Sequence, residues 1–91
     1  MQHQWFKDVC TLLASANTPE EVGEILNELL TPYERDSIAE RWQIVQLLLE
    51  GRSQRDVRDI LHVAIATVSR GARVLKYGRG TLQKKYESFY E

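Results

Sequence analysis

The sequence predicts an all-α protein built from six helices. Along most of the 91-residue chain, apolar side chains recur three and four positions apart, the period of a helix that buries one face. The segments that start at Thr18, Thr31 and Ser53 each place an acidic residue three positions further on, an arrangement that starts helices. We found no run of alternating apolar and polar residues typical of a half-buried strand. We therefore expect one small helical domain over residues 1–91.

The first half of the chain predicts three helices. The first spans Gln2 to Ala16 and has a strongly apolar face. The second starts at a capping box, Thr18-Pro-Glu-Glu21, with proline at the first helical position, and runs to about Leu30. The same signal recurs at once in Thr31-Pro-Tyr-Glu34 and starts a third helix, which extends to Glu50. Gly51 is placed to end that helix as a C-terminal cap.

Residues 51–76 predict a helix-turn-helix. Ser53 is a suitable N-cap for a short helix, and a second short helix starts between Ala64 and Ala66. The side chains expected to face inward are Val57, Ile60, Leu61, Ile65 and Val68. Small and hydroxylated residues and arginines remain on the outer surface of the second helix, a composition that suits the DNA major groove. Two short helices that only pack against each other are the alternative interpretation.

Residues 77–91 predict a last, C-terminal helix. The glycines at 78 and 80 indicate a loop between Lys76 and Gly80. Thr81 is the expected cap of the following helix, which has Leu82, Tyr86 and Phe89 on one face.

The charge is distributed unevenly along the chain. Residues 1–50 hold three basic and nine acidic side chains, a net charge of −6. Residues 51–85 hold nine basic and two acidic side chains, a net charge of +7. A one-sided field of this kind is typical of proteins that bind a phosphate backbone, although a solvated charged surface is the simpler alternative. Because the basic segment coincides with the helix-turn-helix, we favour DNA.

Several other classes of function find no support in the residues. There is no apolar run long enough to span a membrane and no signal-peptide pattern, so we expect a cytoplasmic protein with no membrane partner. The single cysteine, Cys10, cannot form an internal disulfide and is expected to be buried. His3 and His62 lack neighbours at metal-ligand spacing. No nucleophile or general base has the necessary partners, so we expect no enzyme, no metal and no cofactor.

The apolar residues of the first two helices exceed what one small chain can cover. Trp5, Phe6, Leu12 and Leu13 lie on the first helix, and four further large apolar residues lie between Ile25 and Leu30. A second copy of the chain is the simplest cover, since two-fold pairing is the commonest form of oligomer. We therefore predict a homodimer held by residues 1–50 with interleaved helices. Trp5 and Trp42 are expected in the core or in this interface.

Several blocks of the sequence together resemble the Trp repressor family. They are Leu30-Thr-Pro-Tyr-Glu-Arg-Asp36, Arg41-Trp-Gln-Ile-Val45, Gly51, Ser53-Gln-Arg55, Ile65-Ala-Thr-Val-Ser-Arg-Gly71 and Leu75-Lys76. This resemblance implies a six-helix Trp-repressor-like fold, an intertwined homodimer and a helix-turn-helix that reads double-stranded DNA. Residues 73–80 are also similar to a related group of Trp-repressor-like proteins.

The resemblance implies a set of DNA contacts. The matching positions are Gln54, Arg55 and Arg58 on the first helix of the motif, Ile65, Ala66, Thr67 and Ser69 at the tip of the second, and Lys76, which matches a phosphate contact. The fork-shaped guanidinium of Arg55 suits O6 and N7 of guanine. Thr67 and Ser69 are better placed for phosphates or bridging waters.

The resemblance also implies L-tryptophan as an effector. The matching pocket positions are Thr31, Arg41, Arg70 and Gly71. A guanidinium stacks on an indole ring, and Arg70 suits the carboxylate of the amino acid. Val74 departs from this pattern, because the family's repressor has a serine there that receives the ligand ammonium. Glu28 replaces a pocket leucine, and Ala64 and His62 replace glycines of the turn.

Three hypotheses about function follow. The leading one is a sequence-specific transcriptional regulator, a repressor of tryptophan-related genes with L-tryptophan as corepressor. A variant of it is a Trp-repressor-like protein that binds DNA without a ligand. The third belongs to a different class, a helical protein-interaction module whose basic face contacts an acidic partner.

Overall fold

A computed structural model describes residues 3–90 of the chain, which form six α-helices and no strand. The helices are α1 (His3–Ala14), α2 (Pro19–Leu29), α3 (Pro32–Leu49), α4 (Gln54–Leu61), α5 (Ile65–Tyr77) and α6 (Thr81–Phe89). The predicted all-α, six-helix class is therefore confirmed. No helix within residues 3–90 combines the length and the apolar character needed to cross a bilayer.

The helices α2 and α3 begin where the capping signals predict. The hydroxyl oxygen of Thr18 accepts the Glu21 N–H at 3.1 Å, and the Glu21 carboxylate accepts the Asn17 N–H at 2.9 Å. Thr31 and Glu34 form a reciprocal pair with bonds of 3.2 and 2.9 Å. These bonds satisfy backbone N–H groups that have no partner inside the helix. Because the Glu34 carboxylate accepts the Thr31 N–H, the pKa of Glu34 lies below its usual value.

Several helix boundaries differ from expectation by one or two residues; α3, for example, ends at Leu49 and not at Glu50. The helix α1 stops at Ala14, two residues early, because the Ala16 N–H bonds to Leu13 O in a tighter final turn. The helix α5 continues to Tyr77, the second residue of the loop predicted over residues 76–80. Thr81 does not cap α6: it is the first helical residue, and Gly80 takes the cap position with φ 85° and no side-chain hydrogen bond.

Gly51 ends α3 as predicted. Its φ is 100°, a left-handed conformation that glycine adopts without steric cost. The Gly51 N–H bonds to Leu48 O at 3.0 Å and the Arg52 N–H bonds to Leu47 O at 3.1 Å. These two bonds make a Schellman motif, which satisfies carbonyl groups of the last helical turn.

The chain divides into two compact units, one up to Asp36 and one from Ser37 onward. In the first unit, no residue of α1 or α2 is buried. Trp5 is 66% exposed and Phe6 63%. Cys10 is also exposed, so its predicted burial is wrong for the single chain, because the apolar face of α1 has no cover there.

The second unit contains the buried core. Ile44 of α3, Val57 of α4 and Val68 of α5 form a cluster that is closed to solvent. Leu47, Leu48, Leu61 and Val63 pack against it. Ile60 and Ile65 were expected to face inward but are 46% and 43% exposed. The short helix α4 has a narrow inner face that Val57 and Leu61, four residues apart, already fill.

Candidate nucleic-acid interface

The candidate site is the pair α4 and α5 with the turn between them. A capping box between Ser53 and Asp56 starts α4, and the buried side chains of Val57 and Val68 join the two helices. The turn begins at His62, whose φ of 57° and ψ of 44° are left-handed. The helix α5 then starts after Ala64, which supplies no side-chain cap. The predicted helix-turn-helix segment therefore forms two short helices around one small core.

Gln54 and Ser69 are brought together across this motif. Gln54 opens α4 and Ser69 lies in the second turn of α5, fifteen positions further along the chain. The Ser69 hydroxyl donates to Gln54 Oε1 at 3.0 Å, and both side chains are exposed. Two of the residues predicted to contact DNA thus lie side by side on the outer surface.

The two arginines of α4 have different surroundings. Arg55 is exposed. Arg58 is half-buried, and its Nε lies 2.9 Å from Asp59 Oδ1. The hydrogen bond and the opposite charge raise the pKa of the Arg58 guanidinium, and the hydrogen bond holds the pKa of Asp59 below its usual value. Sequence reasoning missed Asp59, although an acid beside a candidate DNA-binding arginine was a usable signal.

The first residues of α5 have short side chains, and two of them are exposed. Ile65 and Ala66 are exposed, whereas Thr67 is half-buried. A surface without long side chains lets a helix approach another surface closely. The prediction of Ile65 as a core residue is wrong, since its side chain is exposed. Its contact with DNA at the helix tip stays a prediction.

The end of α5 carries a second basic group. Arg73 Cζ and Lys76 Nζ each lie 5.4 Å from the centroid of the Tyr77 ring. All three side chains are exposed. Tyr77 was not identified from the sequence, since its contacts with both cations depend on side-chain conformation.

The residues matched to a ligand pocket fall into two groups. Arg41 on α3 and Arg70 on α5 are both exposed in the second unit. Thr31 and Gly71 have structural contacts of their own. The Thr31 hydroxyl caps α3, and a Cβ added to the buried Gly71 would lie 2.5 Å from Ile44 Cγ2.

A cavity of about 290 Å³ lies where α5 ends and α6 begins. Val74 and Leu75 contribute from α5, Leu82 from α6, and Arg79 from the loop between them. Val74 therefore lines a hollow of mixed apolar and polar residues, and its side chain presents no hydrogen-bond acceptor.

The sequence matches a known family over nearly its whole length. The model of the Trp repressor protein family matches residues 4–88. Three similar proteins are each named Trp operon repressor homolog. The one from Mannheimia succiniciproducens is 42% identical over 74 residues, 80% of this chain and 72% of that protein. The one from Vibrio campbellii is 32% identical over 91 residues, 99% of this chain and 91% of that protein. The one from Vibrio cholerae is 39% identical over 74 residues, 80% of this chain and 71% of that protein. Together with the six-helix fold, these matches show that the chain belongs to the Trp repressor family of transcriptional regulators.

Proposed function

We propose that the protein is a sequence-specific repressor that binds double-stranded DNA as a homodimer through α4 and α5. The observation that carries this proposal is the exposed outer surface of the α4–α5 pair, whose inner faces pack together through the buried side chains of Val57 and Val68. The names of the similar Trp operon repressor homologs support the same function. A rigid pair of short helices with a basic surface suits a DNA major groove.

Each helix has a distinct role in this proposal. Arg55 on α4 reads a guanine, because its guanidinium is exposed and can donate two parallel hydrogen bonds. Ile65 and Ala66 bring the start of α5 close to the base edges. Phosphate or water contacts fall to the remaining proposed residues, which are Gln54, Arg58, Thr67, Ser69 and Lys76.

The exposed face of α1 supports the homodimer. Trp5, Phe6, Val9 and Leu12 are 66%, 63%, 36% and 43% exposed. Contiguous apolar surface of this kind is uncommon on a monomer and marks an interaction site. A second copy that covers this face would also supply a second α4–α5 pair, as a palindromic DNA site requires.

L-tryptophan is the proposed corepressor. Arg41 and Arg70 are exposed on two helices of the same unit, and neither is in an ion pair within residues 3–90. One guanidinium suits the indole ring and the other the carboxylate. We expect bound tryptophan to bias the position of α5 relative to α3 and so to favour the DNA-binding state.

A second candidate is ligand-independent DNA binding. Val74 favours it, because its side chain cannot accept a hydrogen bond from the ammonium of an amino acid. An ammonium left without an acceptor in a closed pocket is costly. Isothermal titration with L-tryptophan separates the two candidates. Micromolar affinity that Arg70→Ala abolishes supports the corepressor, and no heat at millimolar ligand excludes L-tryptophan as the effector.

DNA binding itself is tested by selecting bound sites from a random DNA pool with and without L-tryptophan. We expect an enriched palindromic sequence, and the logarithm of its affinity is expected to fall linearly with the logarithm of salt concentration. A pool that shows no enrichment, together with binding that does not depend on salt, would contradict the proposal. That result would favour a module that binds an acidic protein.

A further inference from the structure

Four exposed side chains of α5 form one stripe along the helix. They are Ala66, Ser69, Arg73 and Lys76, spaced by three and four positions so that they share one face. Ala66, Ser69 and Lys76 are proposed above as DNA contacts. Arg73 lies between Ser69 and Lys76 and has no role in that proposal.

The stripe ends at an aromatic ring that contacts two of its members. Tyr77 is 68% exposed, and the charged groups of Arg73 and Lys76 are each 5.4 Å from its ring centroid. At this distance the negative face of an aromatic ring attracts a cation. Within residues 3–90, neither cation lies within 4.0 Å of a carboxylate. Each of the two positive charges thus has a favourable contact that does not neutralise it.

We propose that Arg73, Lys76 and Tyr77 form one phosphate-binding unit, in which Arg73 contacts the DNA backbone and the Tyr77 ring positions both cations. This inference rests on the proposed DNA binding by α4 and α5. Long basic side chains lose rotamer freedom when they bind a phosphate. A ring that already restricts them lowers that loss, while a carboxylate at the same place would cancel the charge that the phosphate requires.

The alternative is that Tyr77 only stabilises the end of α5. Cations near a helix C-terminus interact favourably with the helix dipole, and exposed cation–π contacts add a little stability. This structural role predicts no link between the Tyr77 ring and DNA affinity. The two roles therefore differ in a measurable way.

The first measurement is the dependence of DNA affinity on salt, with a mixed-sequence DNA duplex as the probe. Arg73→Gln is expected to reduce the slope of log affinity against log salt by about 0.9 for each copy of the site on the duplex. Lys84→Gln is the matched control, since it removes one exposed charge from a different helix, α6. Equal slopes for the two variants would overturn the inference and leave DNA binding by α4 and α5 intact. Absence of binding by the unmodified protein would overturn both.

The second measurement separates positioning from charge. Tyr77→Leu keeps both cations, so we expect an unchanged salt slope and an affinity about two- to fivefold lower for each cation released. Tyr77→Phe keeps the ring and is expected to retain most of the affinity that Tyr77→Leu loses.

A third measurement compares Tyr77→Leu in chains with and without the two basic side chains. In a chain that carries Arg73→Gln and Lys76→Gln, Tyr77→Leu is expected to have no further effect on DNA affinity, because the ring has no cation to position. The same loss in both backgrounds would assign Tyr77 a purely structural role and overturn its part in the proposal. Thermal unfolding of each variant verifies that the chain remains folded.

Discussion

Gly71 allows α5 to lie against α3. It is buried, and a side chain at this position would meet Ile44 Cγ2, an atom of the core rather than the end of a flexible chain. The family resemblance matches Gly71 to a ligand pocket, but packing alone already requires a glycine here. The two roles are compatible, because a close approach of the helices also determines the distance between Arg41 and Arg70.

Gly71→Ala is therefore expected to lower the free energy of unfolding by about 1–3 kcal/mol, since an added methyl group overpacks the core. Gly23→Ala is the control, because a Cβ at Gly23 meets nothing within 4 Å and lies inside α2. That substitution is expected to stabilise by about 0.5–1 kcal/mol through helix propensity. Urea unfolding of both variants measures the difference. Equal effects of the two substitutions would show that the contact with Ile44 is not tight.

At His62, the backbone conformation determines how a substitution changes the free energy of unfolding. It is the one residue other than glycine with a positive φ among residues 3–90. A side chain with a Cβ is strained in this conformation, and glycine is not. We expect His62→Gly to raise the free energy of unfolding by about 0.5–1 kcal/mol, after the greater freedom of glycine in the unfolded chain is counted.

His62→Ala is the matched control for that prediction. Alanine retains a Cβ and keeps most of the strain, so only His62→Gly should stabilise the protein. Chemical unfolding of the two variants is the measurement. If both substitutions stabilise equally, the effect comes from the loss of the imidazole and not from the backbone.

At the scale of the element, the helix starts depend on local hydrogen bonds. In the capping box of α3, the Glu34 carboxylate accepts the Thr31 N–H, and this lowers the pKa of Glu34. A carboxyl group whose pKa is lower in the folded state stabilises that state above its unfolded pKa. The stabilisation disappears as the pH falls through the lower, folded pKa.

We therefore expect Glu34→Gln to weaken the loss of stability on acidification below about pH 4.3, the ordinary pKa of a glutamate. Thermal unfolding between neutral and acidic pH measures this loss. Glu24→Gln, on the exposed surface of α2 and outside any capping box, is the control. An identical pH profile for the two variants would contradict a role for the Glu34 carboxylate.

Most features within one element were predictable, although the expected cap at Thr81 was wrong. Contacts between side chains of different elements were not predictable. Thr18, Thr31, Ser53 and Gly51 were identified correctly, because a cap depends on residues a few positions apart. The outward position of Ile60 was missed, because Val57 and Leu61 already fill the narrow inner face of α4 and periodicity alone does not rank the three residues.

The candidate site shows the same division. The helix-turn-helix segment and the exposed positions of Arg55, Ala66 and Lys76 were predictable from composition and from resemblance to the family. The Arg58–Asp59 ion pair and the contacts of Tyr77 depend on rotamers, which a linear pattern does not encode. Whether these residues contact DNA stays a prediction.

At the scale of the whole molecule, the uncovered apolar face of α1 predicts self-association. Phe6→Glu places a charge on that face and is expected to convert a dimer into a monomer, because a buried, unpaired carboxylate is costly. Thr11→Glu adds the same charge to the polar side of α1 and should leave the dimer intact. Sedimentation equilibrium at micromolar concentration measures the mass. A monomeric unmodified protein would contradict the homodimer.

The hydrogen bond between Ser69 and Gln54 affects which of the two side chains can contact a DNA phosphate directly. Ser69 has a single hydroxyl proton and gives it to Gln54 Oε1, so its oxygen is left as an acceptor only. Phosphate oxygens are also acceptors, and two acceptors do not bond directly. Direct contact requires the hydroxyl to rotate away from Gln54; otherwise a water molecule donates to both oxygens. The amide nitrogen of Gln54 keeps both of its protons, so Gln54 can donate to a phosphate oxygen without any rearrangement. Ser69 can donate to a phosphate oxygen only after its hydrogen bond to Gln54 breaks.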